Sequence, residues 1–127
     1  MNYAEYFEKT KGIGVMATAD SKGKVDVAIY ARPHVMDDGS LAFIMRDRLT
    51  HANLQANPHA AFLFIEESAG FKGKRLFLTK MREEENSPLI QELSRRSYSS
   101  ESENTKESKF LVFFKLEKEL PLIGSGK

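Results

Sequence analysis

Cysteine is absent from the 127-residue chain, and histidine is limited to three dispersed positions, His34, His51 and His59. Without thiols there is no disulfide, no thiolate nucleophile and no cysteine-ligated metal, a composition that fits a reducing cytoplasm. Three scattered imidazoles do not make the ligand spacing of a zinc site. A dominant charge is missing as well, since 19 basic residues against 18 acidic ones leave a formal charge of +1. So small a net charge gives no extended field for nucleic acid or an anionic membrane, and any anion-binding site has to be built locally. No apolar run is long enough to cross a bilayer. The first residues include Asn2, Glu5, Glu8 and Lys9 and so lack the apolar stretch of a signal peptide. These absences give the expectation of a cytoplasmic protein that engages neither membrane nor nucleic acid.

What is present fits a single domain over residues 1–127, long enough for a genuine core and small enough that covering flat apolar surface by dimerising would stabilise it. The segment Asp47–Pro58 organises the chain. Thr50 reads as the N-cap of a short helix, and Pro58 disfavours helical geometry at Asn57, which limits that helix to roughly two turns. Helix-start N–H groups carry partial positive charge, and Arg46, Arg48 and His51 stand beside them, so this stretch reads as a clamp for an anion such as phosphate. A plain capped connector with solvated arginines would leave the same local pattern, so the flanking chain has to decide.

Tyr3, Tyr6 and Phe7 fall at helical spacing and predict a short helix, ending before Gly12, that lids the core. Ile13–Ala19 and Lys24–Arg32 alternate as strands about the turn Asp20–Gly23. In the second strand Val25, Val27, Ile29 and Ala31 share one face, and Asp26, Ala28, Tyr30 and Arg32 the other. Pro33 is expected to end regular pairing, and Asp37–Ser40 turns into a third strand, Leu41–Arg46. After the clamp, His59–Glu66 is apolar enough to be buried on both faces. Lys74–Met81 forms a fifth strand, Ser87-Pro88 opens a helix with Leu89, Ile90 and Leu93 on one stripe, and Phe110–Leu116 is the sixth strand. Ser97–Ser108 reads as a mobile loop facing the site, and Pro121–Gly124 as an apolar tail suited to a partner subunit.

Six strands in mostly hairpin order describe a mainly β fold with minor α, a six-stranded antiparallel split β-barrel with short flanking helices. The acidic turn Asp37-Asp38-Gly39, the strand Leu41-Ala42-Phe43-Ile44, and Thr50-His51-Ala52-Asn53-Leu54 running into Asn57-Pro58 follow one another in order. On these markers the chain resembles the pyridoxamine 5′-phosphate oxidase-like, FMN-binding split-barrel family, especially its short FMN-binding members. The likeness runs from Gly12 through Met81, with a weaker echo in Phe110–Gly124.

The resemblance implies FMN as cofactor, with its phosphate near the start of the short helix at Arg48, Thr50 and Asn53. It implies that Phe43, Ile44, Met45 and Arg46 run along the flavin, that Arg32 is within reach of phosphate or ring, and that Lys74, next to Arg75, faces the pyrimidine end. It also implies a homodimer with the flavin at or near the subunit interface. It does not extend to pyridoxamine phosphate oxidation, because Thr50 stands where those oxidases commonly carry lysine, and their longer C-terminal part has no counterpart here. The function read from all this is an FMN-dependent oxidoreductase acting on a small soluble molecule. FMN chemistry needs no protein nucleophile, and no catalytic side chain is assigned. Tyr30 is a candidate stacking or hydrogen-bonding group for the substrate, although a tyrosine at such a position more often fills a core edge. The alternatives are a non-catalytic FMN carrier or redox sensor and, less favoured, a small-barrel nucleic-acid binder, against which the balanced charge and Glu83-Glu84-Glu85 argue.

Overall fold

The computed structural model describes residues 1–97 and 107–124. In chain order its elements are α1 (Tyr3–Lys9), β1 (Gly12–Ala19), β2 (Val25–Tyr30), β3 (His34–Val35), β4 (Leu41–Arg46), α2 (Leu49–Ala56), β5 (His59–Glu66), β6 (Gly73–Glu85), α3 (Leu89–Ser97) and β7 (Lys109–Pro121). The seven strands form one sheet in the order β2-β1-β5-β6-β7-β4-β3, with antiparallel pairing throughout. The sheet is therefore open, and it has seven strands where the sequence pattern suggested six. The extra one, β3, is two residues long and pairs His34 with Ala42 and Val35 with Leu41 immediately after Pro33. A strand so short has no alternation to read, and proline masked it further.

Two strands also run past their expected ends. β6 continues to Glu85 and β7 to Pro121 because they pair with each other along a ribbon that includes the acidic run Glu83–Glu85. Register shifts between Phe77 and Leu78 and between Lys80 and Arg82 break the alternation, so the hydrophobic period fades while the ladder continues. Most of the Ser97–Ser108 segment lies outside the described residues, and the expectation of a mobile loop there is left with it.

The inner face of the sheet is a phenylalanine core. Phe43 meets Phe62 and Phe114 edge to face, with centroids 5.0 and 5.6 Å apart, and Phe7 of α1 packs on Phe64 at 5.3 Å. Edge-to-face pairs add to the energy of burying these rings. α1 lids this core as the tyrosine and phenylalanine spacing predicts. Asn2 Oδ1 accepts from the backbone N–H of Glu5 at 3.0 Å to cap its start. At its end Arg32 Nη1 donates to the carbonyls of Phe7 at 2.7 Å and Thr10 at 3.0 Å, satisfying acceptors that a helix leaves unpaired.

The alternating strands do not turn their more apolar faces inward. In β1 the buried side is Gly14, Met16 and Thr18, and Ile13 faces out at 58 % exposure. In β2 the outward side is Val25, Val27 and Ile29, each at least 65 % exposed, whereas Asp26, Ala28 and Tyr30 are half-buried. β5 is covered on one face only: Ala60, Phe62 and Phe64 are buried, and Ala61, Leu63 and Ile65 are half-buried on the other side. The expectation that β5 is buried on both faces therefore fails for the single chain. The register sets Val15 between Ile29 and Leu63, and Ala17 between Val27 and Ala61, so the outward residues form one continuous apolar surface.

Close approach at Gly14 yields a test. A Cβ there would lie 2.4 Å from Cζ of Phe62 and 2.6 Å from the carbonyl oxygen of Tyr30. Gly14→Ala should destabilise the protein by about 1–3 kcal/mol through overpacking, read by chemical denaturation. Gly70→Ala, at a position with open space around it, should leave stability within about 0.5 kcal/mol.

Candidate functional site

The sheet curls until Tyr30 of β2 meets Phe43 of β4 edge to face at 6.4 Å, yet the two strands do not share a ladder. Between them lies a cavity of about 540 Å³, within the range on the order of 300–1,000 Å³ common for small-molecule sites. One wall is Asp26, Ala28, Ile29, Tyr30, Ala31 and Arg32, and the opposite wall is Phe43, Ile44 and Arg46 with His34. Arg48, Leu49 and Thr50 at the start of α2 close one end, and Ile90 and Ser94 of α3 with Lys109 line the remainder. The polar row of β2 thus faces a ligand-sized space. Among the described residues that line it, Arg32, Arg46, Arg48 and Lys109 stand against the one carboxylate of Asp26, so this lining is cationic although the chain is almost neutral.

α2 forms where the sequence places it, but its start differs. The N-cap is Arg48, in extended geometry with φ −125° and ψ −167°, and no side chain caps the first turn. Ala52 N–H donates to the Arg48 carbonyl at 3.0 Å, which begins the helix two residues earlier than a Thr50 cap would. Thr50 falls inside the first turn and is buried on the cavity wall, so the capping role assigned to it is corrected. The first-turn N–H groups consequently have no capping side chain to satisfy them, as an anion clamp requires. At the other end Asn57 N–H donates to the Asn53 carbonyl at 2.8 Å, and Pro58 follows.

Six of the residues named from the sequence, Arg32, Phe43, Ile44, Arg46, Arg48 and Thr50, line this one cavity. Met45, Asn53 and Lys74 do not. Met45 alternates to the core side of β4 and is buried there. Asn53 is buried beneath α2, where its Nδ2 donates to Thr18 Oγ1 at 3.1 Å and ties the helix to β1. Lys74 pairs with Glu119 at 3.0 Å and lies 4.8 Å from the centroid of the Tyr6 ring, where it helps fasten α1. Arg32 lines the cavity and also caps α1, so its guanidinium is partly committed. The sequence reading had no signal for His34, Ile90, Ser94 or Lys109, which reach the site from β3, α3 and β7.

His51 turns away from the clamp. Its ring lies parallel to Phe110 with centroids 3.8 Å apart, its Nδ1 is 3.0 Å from Asp47 Oδ1, and its Nε2 is 3.0 Å from Glu83 Oε1. This seats the first turn of α2 on the β6–β7 ribbon. Burial alone would raise the Glu83 carboxyl, but hydrogen bonds from Lys80, Gln55 and His51 outweigh it and hold the group at about 2. Among the described residues no group of three or more histidines and carboxylates is arranged for a metal ion, and no helix is long and apolar enough to cross a membrane.

No family model matches the chain, and no curated protein matches it in sequence. Its fold is shared with solved structures. An FMN-binding protein from Syntrophomonas wolfei subsp. wolfei is 17 % identical with a TM-score of 0.74, over 98 % of this chain and 86 % of its own. An F420 reductase is 17 % identical with a TM-score of 0.71, over 91 % of this chain and 94 % of its own. The heme storage protein HutZ from Vibrio cholerae is 18 % identical with a TM-score of 0.66, over 91 % of this chain and 89 % of its own. Proteins named as candidate pyridoxamine 5′-phosphate oxidases from Lactobacillus delbrueckii and Listeria innocua share the fold too. These neighbours agree with the pyridoxamine 5′-phosphate oxidase-like resemblance drawn from the sequence. Likeness at such identities establishes the fold and leaves the ligand to the side chains.

The depressed Glu83 carboxyl predicts how stability is lost in acid. The folded state binds fewer protons than the unfolded state between the ordinary 4.5 and about 2, so stability is complete above that window and falls as pH drops through it. Glu83→Gln should flatten this part of the stability curve, followed by denaturant titrations at a series of acidic pH values. An unchanged acid limb would mean that the Glu83 bonds add nothing to the native state.

Proposed function

We propose that the chain is an FMN-binding flavoprotein and that it acts as an oxidoreductase on a small soluble molecule. One observation carries this reading: a helix start with no capping side chain, the arginines of the β4–α2 turn and an aromatic strand wall converge on a single cavity. In this reading the phosphate is held by the first-turn N–H groups of α2 with Arg46, Arg48 and Thr50. Phe43 and Ile44 of β4 support the flavin, with Tyr30 across from them and Arg32 at the far side. Met45 and Asn53 act from behind, one through the core and one by seating α2 on Thr18. Lys74 holds the α1 lid. FMN, when bound, supplies the hydride and electron chemistry, and the protein's part is to bind, orient and exclude water. A carrier or redox sensor would use the same site without turnover.

We further infer that two copies pair through the outward face of β1, β2 and β5. Val25, Val27 and Ile29 are 80 %, 65 % and 72 % exposed on a continuous apolar sheet surface, an arrangement that calls for a partner. Ile29 also lines the cavity, so such an interface would border the flavin site.

Arg48→Ala should weaken FMN by about tenfold or more while leaving riboflavin little changed, because a charge-assisted phosphate contact is lost and the ring site is kept. Fluorescence titration of both ligands, with the absorption spectrum of the purified protein for bound flavin, checks this, and equal losses would put the phosphate elsewhere. Stopped-flow reduction of bound FMN by NADH and NADPH decides between enzyme and carrier. Reduction no faster than that of free FMN would select the carrier.

Sedimentation at micromolar concentration should find a dimer that Val27→Asp converts to monomer. A monomeric wild-type chain that still binds FMN tightly would overturn the shared interface.

A further inference from the structure

The arginines at the mouth of the cavity already have an anionic partner within the chain. Glu107, two residues before β7, bonds through one carboxylate oxygen to Nη1 of Arg48, and its other oxygen lies 3.7 Å from Nη1 of Arg46. The glutamate side chain is 21 % exposed and that of Arg48 is 65 % exposed, so the carboxylate is the anchored member and the Arg48 head is the one able to swing. Two guanidinium groups two residues apart repel each other unless a counter-charge sits between them. A carboxylate offers them the same paired oxygens as a phosphate.

We propose that Glu107 is a built-in competitor for the anionic ligand: the ligand binds by taking Arg46 and Arg48 over from this carboxylate. This rests on the reading that the cavity holds a phosphate group. A singly charged anion exchanges one negative charge for another and gains little. A phosphate monoester brings close to two charges at neutral pH, and it alone profits from the exchange. Glu107 therefore sets both the affinity of the site and its selectivity for phosphate esters over carboxylates, a role that neither the strand pattern nor the helix start reveals.

The test compares wild type, Glu107→Gln and Glu107→Ala with FMN, riboflavin, inorganic phosphate and acetate as probes. Both variants should bind FMN about three- to tenfold tighter, the modest gain expected when an exposed ion pair no longer competes. Riboflavin should bind unchanged, and acetate should begin to compete with FMN. In an Arg48→Ala background the gain should shrink, because the contact being exchanged is gone. Affinity for FMN that is unchanged or lower in both variants, with riboflavin unaffected, overturns the proposal and leaves the flavin reading intact. If wild type binds neither flavin, thermal protection by inorganic phosphate still decides. Stronger protection of the variants than of wild type upholds the role of Glu107 while the flavin reading falls, and equal protection removes both.

Discussion

An unpaired strand edge is what the rest of the structure is arranged around. β2 is hydrogen-bonded to β1 on one side and faces β4 across a cavity on the other. Had the two strands closed into a ladder, their side chains would have filled the space between them, as in a small closed barrel. What holds the gap open is α2, wedged against β1, β2 and β4. An amphipathic helix that only covered the core could be held by apolar contacts. This one is anchored by polar residues, Asn53 on Thr18 and His51 between Asp47 and Glu83, and among the described residues no buried side-chain nitrogen or oxygen lacks a partner. A satisfied polar anchorage fixes orientation more tightly than apolar packing does. Orientation is what a helix start needs if its N–H groups are to point at one place.

The same open edge explains why β2 wears its hydrophobicity on the outside. A strand that borders a charged cavity turns Asp26, Tyr30 and the following Arg32 toward it, and alternation then forces Val25, Val27 and Ile29 to the opposite face. β1 and β5 follow in register and extend that face. Cavity and apolar surface are two sides of one strand, so a change that shifted β2 by a single residue would exchange them and abolish both.

Much of this was legible in the residues, and the failures have physical causes. The short helix between two strands, its proline stop and the arginines at its mouth were readable because capping and breaking chemistry is local. So were the β1–β2 hairpin, with its turn at Asp20–Gly23, and α3, where Ser87 caps the start as the serine–proline pair predicts, accepting from Leu89 N–H at 3.2 Å. The two-residue β3 and the extensions of β6 and β7 were not readable, because a strand sustained by its partner need not carry a period of its own. Alternation separated the two faces of β2 but could not by itself tell which one turns inward, and the cavity shows that it is the face of Asp26, Ala28 and Tyr30. Lys109 and Ile90 reach the site from segments distant in sequence, and only the folded sheet brings them to Arg46.

Charge shows the same division between what is local and what is global. A chain with a formal charge of +1 exerts almost no long-range attraction on an anion. Inside the cavity the balance is different, because Arg32, Arg46, Arg48 and Lys109 line it and, among the described residues that line it, Asp26 is the one carboxylate. Other carboxylates are held elsewhere by dedicated partners: Glu83 by Lys80, Gln55 and His51, and Glu119 by Lys74 and Tyr3. Among the described residues Glu107 is the exception, since it is the carboxylate paired with Arg46 and Arg48 of the site itself. In the proposed reading an anion would take Arg46 and Arg48 over from this carboxylate, and the selectivity of the site would rest on a competition between two anions for one pair of arginines. Net charge, which averages over the whole chain, carries no trace of it.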